Sequence, residues 1–507
     1  MRENRSAYLK GKCLAVVLSS SCIVGVPLLI DLFVSAMLLP AIVPQVTTYM
    51  FPISIVGMWC DFYYSWPLLY IFAFILIDML FISCFVLTSL IVSRFCKYEV
   101  EALLFPSLIN LIIYFICSWW GETQYSSAYP NEWKTFGFAL GVRVLVMVAA
   151  LFCIMIGSNE QVSLWDCLAK LRLWDANHYI NLIDKGYSAY QENGEHLFLV
   201  FYPCYVWFVR IVKLIIPNTE LAGALVSALC FSWGCCWVHK LAFESYDKSV
   251  ADDAVLFLSV FPFSFFFGTV MTEGLFLLTT AAALYYAHKH KWLAFGIWGA
   301  FAALTRMIGI LVVLPGVIEF FKSVKPLVVP IKASMKRLAQ KAMYIPLLFL
   351  PCLGMLGYWL LNYLVDGNPF AYVIHQQHWY QGPMWVTDTL KYIVSYLGRQ
   401  FQQSMAWAVW LPELILFIVF FAILVLSLRS RKNSSSILAY AFCYLIANYS
   451  LSWLLSGGRY LSCGFVFFIL LAALVKNRSE LRTYVIVVES LFLGIFLFGY
   501  VSGAQIM

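Results

Sequence analysis

A carboxylate, an imidazole and a phenol stand together in Leu173-Trp174-Asp175-Ala176-Asn177-His178-Tyr179. On a helix, Asp175, His178 and Tyr179 fall at i, i+3 and i+4 and share one face. Gly186, between Lys185 and Tyr187, is a natural stop for that helix. A carboxylate so placed can serve as a general base toward a hydroxyl; the plain alternative is a solvated loop helix with incidental charges. Glu273 opens a later apolar run, where an acid is also favoured by the helix dipole alone. Arg306 interrupts an apolar stretch, and a guanidinium at membrane depth is costly unless it is partnered or functional. Its structural alternative is a partner for Glu273 or a backbone carbonyl. Arg459 follows Gly457-Gly458 at the start of another apolar run, where a snorkelling side chain is the alternative. Arginines favour phosphate through paired hydrogen bonds. Two carboxylates and two arginines therefore suit transfer from a lipid phosphate to a hydroxyl.

His375 and His378 lie three apart, with no third ligand nearby, so no metal site is expected. The aromatic and amide side chains around them, Trp379 included, suit a sugar site or interfacial anchoring. No Walker A, dinucleotide-binding or zinc-protease motif occurs, which gives no support to a soluble nucleotide donor or a bound cofactor.

The elements that must carry these residues are membrane helices. Of 507 residues, 63% are hydrophobic and 12% charged, against about 25% charged in a typical soluble domain. Apolar runs near the ~20 residues needed to cross a bilayer recur along the chain. They are continuous rather than alternating, which points to helices and not barrel strands. The fold class is all-α and multi-pass. The net charge of +7 collects in short connecting stretches, as the positive-inside rule requires, and does not suggest nucleic-acid binding. Fifteen cysteines, including Cys153, Cys230, Cys235, Cys236 and Cys443 within apolar runs, form no C-x-x-C pair. They read as small hydrophobes, not as a disulfide framework. The basic segment Met1–Lys12 precedes an apolar run too long for a cleavable signal, so a retained first helix is expected.

Charge orients the chain. Lys322, Lys325, Lys332, Lys336, Arg337 and Lys341, with no acid among them, mark a cytoplasmic stretch. Helices at about 343–365, 408–428 and 436–455 then alternate sides. They place loop 366–404 and Arg459 outside, and Arg429, Arg431, Lys432, Lys476, Arg478 and Arg482 inside. In the other direction, His288 to Lys291 is inside. The short interval up to 322, broken at Thr305-Arg306, reads as two short helices or a bent hairpin, with Arg306 near the outer side. Thr272-Glu273 is then outside, and Glu244–Asp253 inside. The segment 197–216 breaks at Tyr202-Pro203 and carries Arg210 and Lys213, so it reads as an interfacial amphipathic helix. An outer loop 158–219 follows, and a separate hydrophobic block, 1–133, precedes a core of 134–507.

The run Trp174-Asp175-Ala176-Asn177-His178-Tyr179 to Gly186-Tyr187, with Phe201-Tyr202-Pro203 after it, resembles the PIG-V family of mannosyltransferases. The resemblance continues through Thr272-Glu273-Gly274-Leu275-Phe276, Leu304-Thr305-Arg306 with Gly309, Gly367-Asn368-Pro369 with Trp379, and Arg459-Tyr460, covering about 130–507. It implies a GT-C glycosyltransferase fold with a large extracytoplasmic first loop bearing interfacial helices. It also implies a polyprenyl-phosphate sugar donor, commonly mannose, and inversion at the anomeric carbon. Asp175 is then the expected catalytic acid of the first loop, with His178 and Glu273 beside it and Glu273 positioning acceptor or base. Arg306 and Arg459 are expected to hold donor phosphate. Trp174, Tyr179, Tyr187, His378, Trp379 and Tyr460 complete the expected substrate-binding set. The expected partners are the donor, a glycan or glycolipid acceptor and the bilayer itself. The chain's size and short loops favour a bacterial relative at the plasma membrane; a eukaryotic one would sit in the endoplasmic reticulum. The block 1–133 and a lengthened spacer, Ser188 to His196, depart from the family pattern and leave the acceptor open. A transporter or flippase for a lipid-linked glycan is the competing reading, for which inverted repeats and midplane charges would be expected.

Overall fold

The computed structural model describes residues 15, 18–23, 25–30, 65–66, 68–77, 79, 132–157, 167, 169–324, 340–430 and 432–506. The chain divides into two units, Met1–Leu111 and Ile112–Met507. The first unit contains short apolar helical stretches, Leu18–Ile30 and Leu68–Ile77. Most of the hydrophobic block expected at 1–133, and the basic residues Lys325, Lys332, Lys336 and Arg337, fall outside the described residues.

The second unit is an integral, multi-pass helical membrane protein, with no β-strand among its described residues. Its helices are α1 (Glu132–Gly157), α2 (Asp175–Lys185), α3 (Pro203–Lys213), α4 (Thr219–Ser245), α5 (Lys248–Val260), α6 (Glu273–His288), α7 (Trp292–Thr305) and α8 (Val313–Val324). They continue as α9 (Pro351–Asp366), α10 (Val386–Arg399), α11 (Leu411–Leu428), α12 (Ser435–Asn448), α13 (Gly457–Ser462), α14 (Phe465–Val475) and α15 (Ser479–Val501). Among the described residues, six helical segments are long and apolar enough to cross a bilayer: Glu132–Met155, Thr219–Ser245, Met307–Val324, Ala342–Asp366, Ala406–Leu428 and Ser479–Val501.

Local chemistry explains where the helices begin and end. The Asn218 side chain accepts from Leu221 N–H at 2.8 Å and starts α4, and Asp247 accepts from Val250 N–H at 3.2 Å and starts α5. Gly367, at φ 74°, closes α9 in the left-handed region. Helices α4 and α6 pack so closely that a Cβ on Gly274 would overlap the Ser227 carbonyl oxygen. Small residues at a contact let helix backbones approach where lipid supplies no hydrophobic drive.

The charges sort to the two ends of the helices. At one end, Lys289 pairs with Glu244 at 2.6 Å, Arg482 with Asp253 at 2.7 Å and Lys322 with Glu319 at 2.8 Å, while Lys476 pairs with Asp247. At the other end, Asp175, Glu273, Arg306 and Arg459 meet. This is the grouping that alternation of charged loops requires. The 197–216 segment is a 3₁₀ turn, Leu197–Val200, followed by the eleven residues of α3. At about 1.5 Å per residue α3 is too short to cross. It buries Cys204, Tyr205, Val206 and Val209 and exposes Trp207, Phe208 and Ile211. The interval around Arg306 is two helical pieces, α7 and the segment Met307–Val324, with Arg306 extended between them (φ −156°, ψ 150°).

Two expectations need correction. The stretch 366–404 is not a plain loop: it contains the amphipathic helix α10, whose Thr389 hydroxyl donates to Leu451 O at 3.0 Å. The helix expected to reach 455 ends at Asn448, and the next residues turn to bond with the 380–392 segment, as in Gly382 N–H to Ser452 Oγ at 2.8 Å.

The return from α5 to α6 is only partly helical, with a 3₁₀ turn at Ser264–Gly268. Non-helical backbone at membrane depth persists only where protein satisfies its polar groups. Arg143, buried in α1, supplies them: its guanidinium donates to the carbonyls of Ser259 and Ser264 and lies over the Phe231 ring at 4.7 Å. One of these carbonyls belongs to the last turn of α5, where the helix dipole is negative. Replacing Arg143 with Leu removes a charged donor from two buried carbonyls, at about 1–3 kcal/mol each, and leaves Ser259 O with the Ser264 hydroxyl as its donor. The Arg143→Leu variant in detergent should therefore show a markedly lower thermal midpoint. A midpoint equal to that of the wild type would remove Arg143 as the pin of this return.

Candidate active site

Four charged side chains from four separate elements meet at this second end. Glu273 is the first residue of α6 and is buried. Its Oε1 accepts from Arg306 Nη2 at 3.0 Å and from Arg459 Nε. Arg459 also donates from Nη1 to Asp175 Oδ2 at 2.6 Å. The side-chain exposures are 0% for Glu273, 3% for Arg459, 13% for Arg306 and 32% for Asp175. Asp175 is therefore the carboxylate of this set that can meet a substrate, and Glu273 acts from below as the shared counter-ion. Tyr460 covers both guanidiniums, 5.1 Å from Arg306 and 5.9 Å from Arg459, and Phe276 and Phe266 underlie them. In such a setting each charge costs several kcal/mol to desolvate, so the pairing is obligatory.

The residue that launches Asp175 is strained. Trp174 caps α2 at φ 52°, ψ −131°, a region open to glycine and costly for a side chain of this size, about 1–3 kcal/mol. Its ring is half exposed beside the acid. Behind α2, Tyr179 is buried edge-on against Phe201 and Tyr205 at 5.0 and 5.6 Å. Tyr187 is also buried, its hydroxyl donating to Phe201 O at 2.8 Å. These two tyrosines are buried and build the floor of the loop. Glu273, expected to position acceptor or base, is bonded to both arginines.

Further along α2, His178 Nδ1 meets Tyr190 Oη at 3.1 Å, and its ring stacks on Phe198 at 4.9 Å. Trp379 stands edge-on to Phe198 and Phe201 at 6.4 and 6.1 Å, with His378 against it at 4.9 Å. The 197–201 segment and the 366–388 segment are thus brought together beside α2. His375 instead lies 3.8 Å from Asp366. Sequence reasoning missed Cys463, whose Sγ lies 3.9 Å from Arg306 Nη1 and 3.7 Å from Glu273 O. It also missed Glu413, a lone carboxylate near the start of an apolar run.

Comparison with known proteins is partial. The family described as dolichyl-phosphate-mannose-protein mannosyltransferase matches residues 202–354, a range that holds Glu273 and Arg306 but not Asp175 or Arg459. No match is found among curated proteins. Among solved structures, the chain is similar to ArnT from Cupriavidus metallidurans bound to undecaprenyl phosphate: 15% identity, 67% of this chain and 61% of that one, TM-score 0.42. It is also similar to the Archaeoglobus fulgidus oligosaccharyltransferase with Zn and sulfate: 14% identity, 72% and 53% coverage, TM-score 0.38. The same archaeal enzyme, AglB, in complex with an inhibitory peptide and a dolichol-phosphate gives 13% identity, 73% and 56% coverage, and a TM-score of 0.37. The chain therefore spans 53–61% of the length of these proteins.

Burial among aromatic rings pushes the His178 imidazole below its ordinary value of 6.5, and His378 pushes the same way; Asp175 and Glu192 pull it upward without prevailing. Where the folded value is depressed, the unfolded chain binds more protons, so this contribution to stability is full above 6.5 and is lost as pH falls through the folded value. Wild-type protein should lose thermal stability from about pH 7.5 to about pH 5 more steeply than His178→Gln. Parallel melting curves for the two would show that His178 does not titrate in this way.

Proposed function

We propose that the chain is a membrane glycosyltransferase of the GT-C type, related to the PIG-V mannosyltransferases. It moves a sugar, taken to be mannose, from a polyprenyl-phosphate donor to an acceptor hydroxyl at the extracytoplasmic face. The observation that carries this reading is the half-open Asp175 carboxylate bonded to Arg459, which shares Glu273 with Arg306. A base for a hydroxyl and two guanidiniums for a phosphate stand within one side-chain layer. The family match over 202–354, whose description names dolichyl-phosphate-mannose, supports the choice of donor.

The chemistry is a single displacement. The acceptor oxygen attacks the anomeric carbon, the bond from that carbon to the phosphate oxygen breaks, and Asp175 takes the hydroxyl proton. The electron pair leaves on the polyprenyl phosphate, whose added charge Arg306 and Arg459 stabilise. One displacement inverts the anomeric centre. Trp379, His378 and His178, above the acid, line the path by which the acceptor enters.

Asp175→Asn keeps the size of the side chain and removes the base. Release of polyprenyl phosphate from polyprenyl-phosphate mannose should fall by at least ~10²-fold, with normal expression and a thermal midpoint lowered only modestly, because the amide oxygen still accepts from Arg459 and Glu273 still neutralises it. Wild-type turnover in this variant would rule Asp175 out as the base. Arg306→Ala should mainly raise KM for the donor; an unchanged donor KM would assign Arg306 a structural role.

A further inference from the structure

Glu413 lies in the first turn of α11, buried, and forms no ion pair among the described residues. An acid in that setting is costly unless its oxygens are well bonded. Its Oε1 accepts from Gly457 N–H at 2.6 Å, and Tyr449 Oη donates to the Glu413 main-chain carbonyl at 2.8 Å while passing 3.4 Å from Oε2. Gly457 is the first residue of α13, whose leading N–H groups have no partner inside the helix. The approach leaves no room for a side chain: a Cβ on Gly457 would overlap the Glu413 carboxylate. One on Gly458 would lie 2.5 Å from the Phe263 ring. Arg459 is the next residue. On its far side, Ser462 Oγ donates to Arg459 O at 2.6 Å and Tyr444 Oη to Tyr460 O at 2.8 Å.

We propose that Glu413 is a positioning residue for the transfer reaction. By gripping the Gly457-Gly458 backbone it sets the Arg459 guanidinium, and through it the Asp175 carboxylate. The inference rests on the transferase reading for its kinetic consequence, but not for its geometric one. Glu413 touches neither Asp175 nor Glu273, so its effect must pass through Arg459. A displacement of that guanidinium by about 1 Å is enough to cost ~10²-fold in rate.

The test uses full-length protein in nanodiscs with polyprenyl-phosphate mannose. Glu413→Ala should lower kcat ~10–100-fold while donor KM stays within about threefold. Glu413→Gln, whose amide oxygen can still accept from Gly457, should recover most of the rate. Glu413→Asp keeps the charge but withdraws it by one methylene, and serves if the alanine variant does not fold. Gly457→Ala should be as damaging as Glu413→Ala, and combining the two should add little, because both break one contact. Wild-type kcat in Glu413→Ala or Glu413→Asp, or losses that multiply in the double variant, would overturn the proposal. If wild-type protein transfers no mannose, the transferase reading fails separately. The positioning is then decided by thermal midpoints of Glu413→Gln, Glu413→Ala, Arg459→Met and the double variant Glu413→Ala/Arg459→Met. Coupled shifts from the Ala and Met changes, with Glu413→Gln near wild type, uphold it; additive shifts overturn it.

Discussion

A guanidinium buried at Arg459 has to be neutralised, and that requirement organises the end of the helices where the four charges meet. Its two acidic partners come from distant parts of the chain, Asp175 from the start of α2 and Glu273 from the start of α6. In a low-dielectric setting an unpaired charge costs far more than a packing defect, so elements that carry partners are drawn together. Helix α2 must dock so that Asp175 reaches Arg459, and α7 must break so that Arg306 can turn to Glu273. The aromatic floor of the loop, with Tyr179, Tyr187 and Phe201, holds α2 in that register. What makes the site reactive in the proposed reading is the asymmetry of burial. Glu273 and Arg459 are sealed, while Asp175 and, to a lesser extent, Arg306 keep a face open to a substrate.

The same rule operates deeper, without an acid. Arg143 is balanced by carbonyl dipoles at the end of α5 and in the turn after it. A cation held by carbonyls permits α5 to stop early and the chain to return to the surface as a 3₁₀ turn and an irregular link. That return delivers Thr272-Glu273 to the start of α6, beside the arginines. The irregular crossing is therefore part of how the site is placed.

Much of this was legible in residue order, for identifiable reasons. Arg306 in an apolar run signalled a break, and Pro203, Arg210 and Lys213 signalled a segment that does not cross. Both are local conflicts between a charge or a proline and a continuous helix in lipid. Alternating basic loops placed Glu273, Arg306 and Arg459 at one end before any contact was known. The illegible features share another cause. Arg143 bonds to carbonyls of residues 259 and 264, and Glu413 to the amide of Gly457. Backbone atoms carry no residue signature, so nothing in residue types pairs those positions. Tyr179 and Tyr187 could be assigned to the loop but not to its floor, because burial depends on how the loop closes. Helix α10 was hidden for a related reason: half of it is polar, and its apolar half was read as part of an aromatic loop.

The separations along the chain carry one more consequence. Glu273 and Arg306 are 33 residues apart, at the start of α6 and just past the end of α7, whereas Arg459 lies 186 residues from Glu273 and 284 from Asp175. During synthesis the α6–α7 hairpin enters the membrane long before Arg459 exists. Its acid and its base can neutralise each other at that stage, which lowers the cost of inserting either. The ion pair between Arg306 and Glu273 is therefore suited to serve twice: as a temporary passport for the hairpin into lipid, and later as the half-built site that waits for the last third of the protein to emerge.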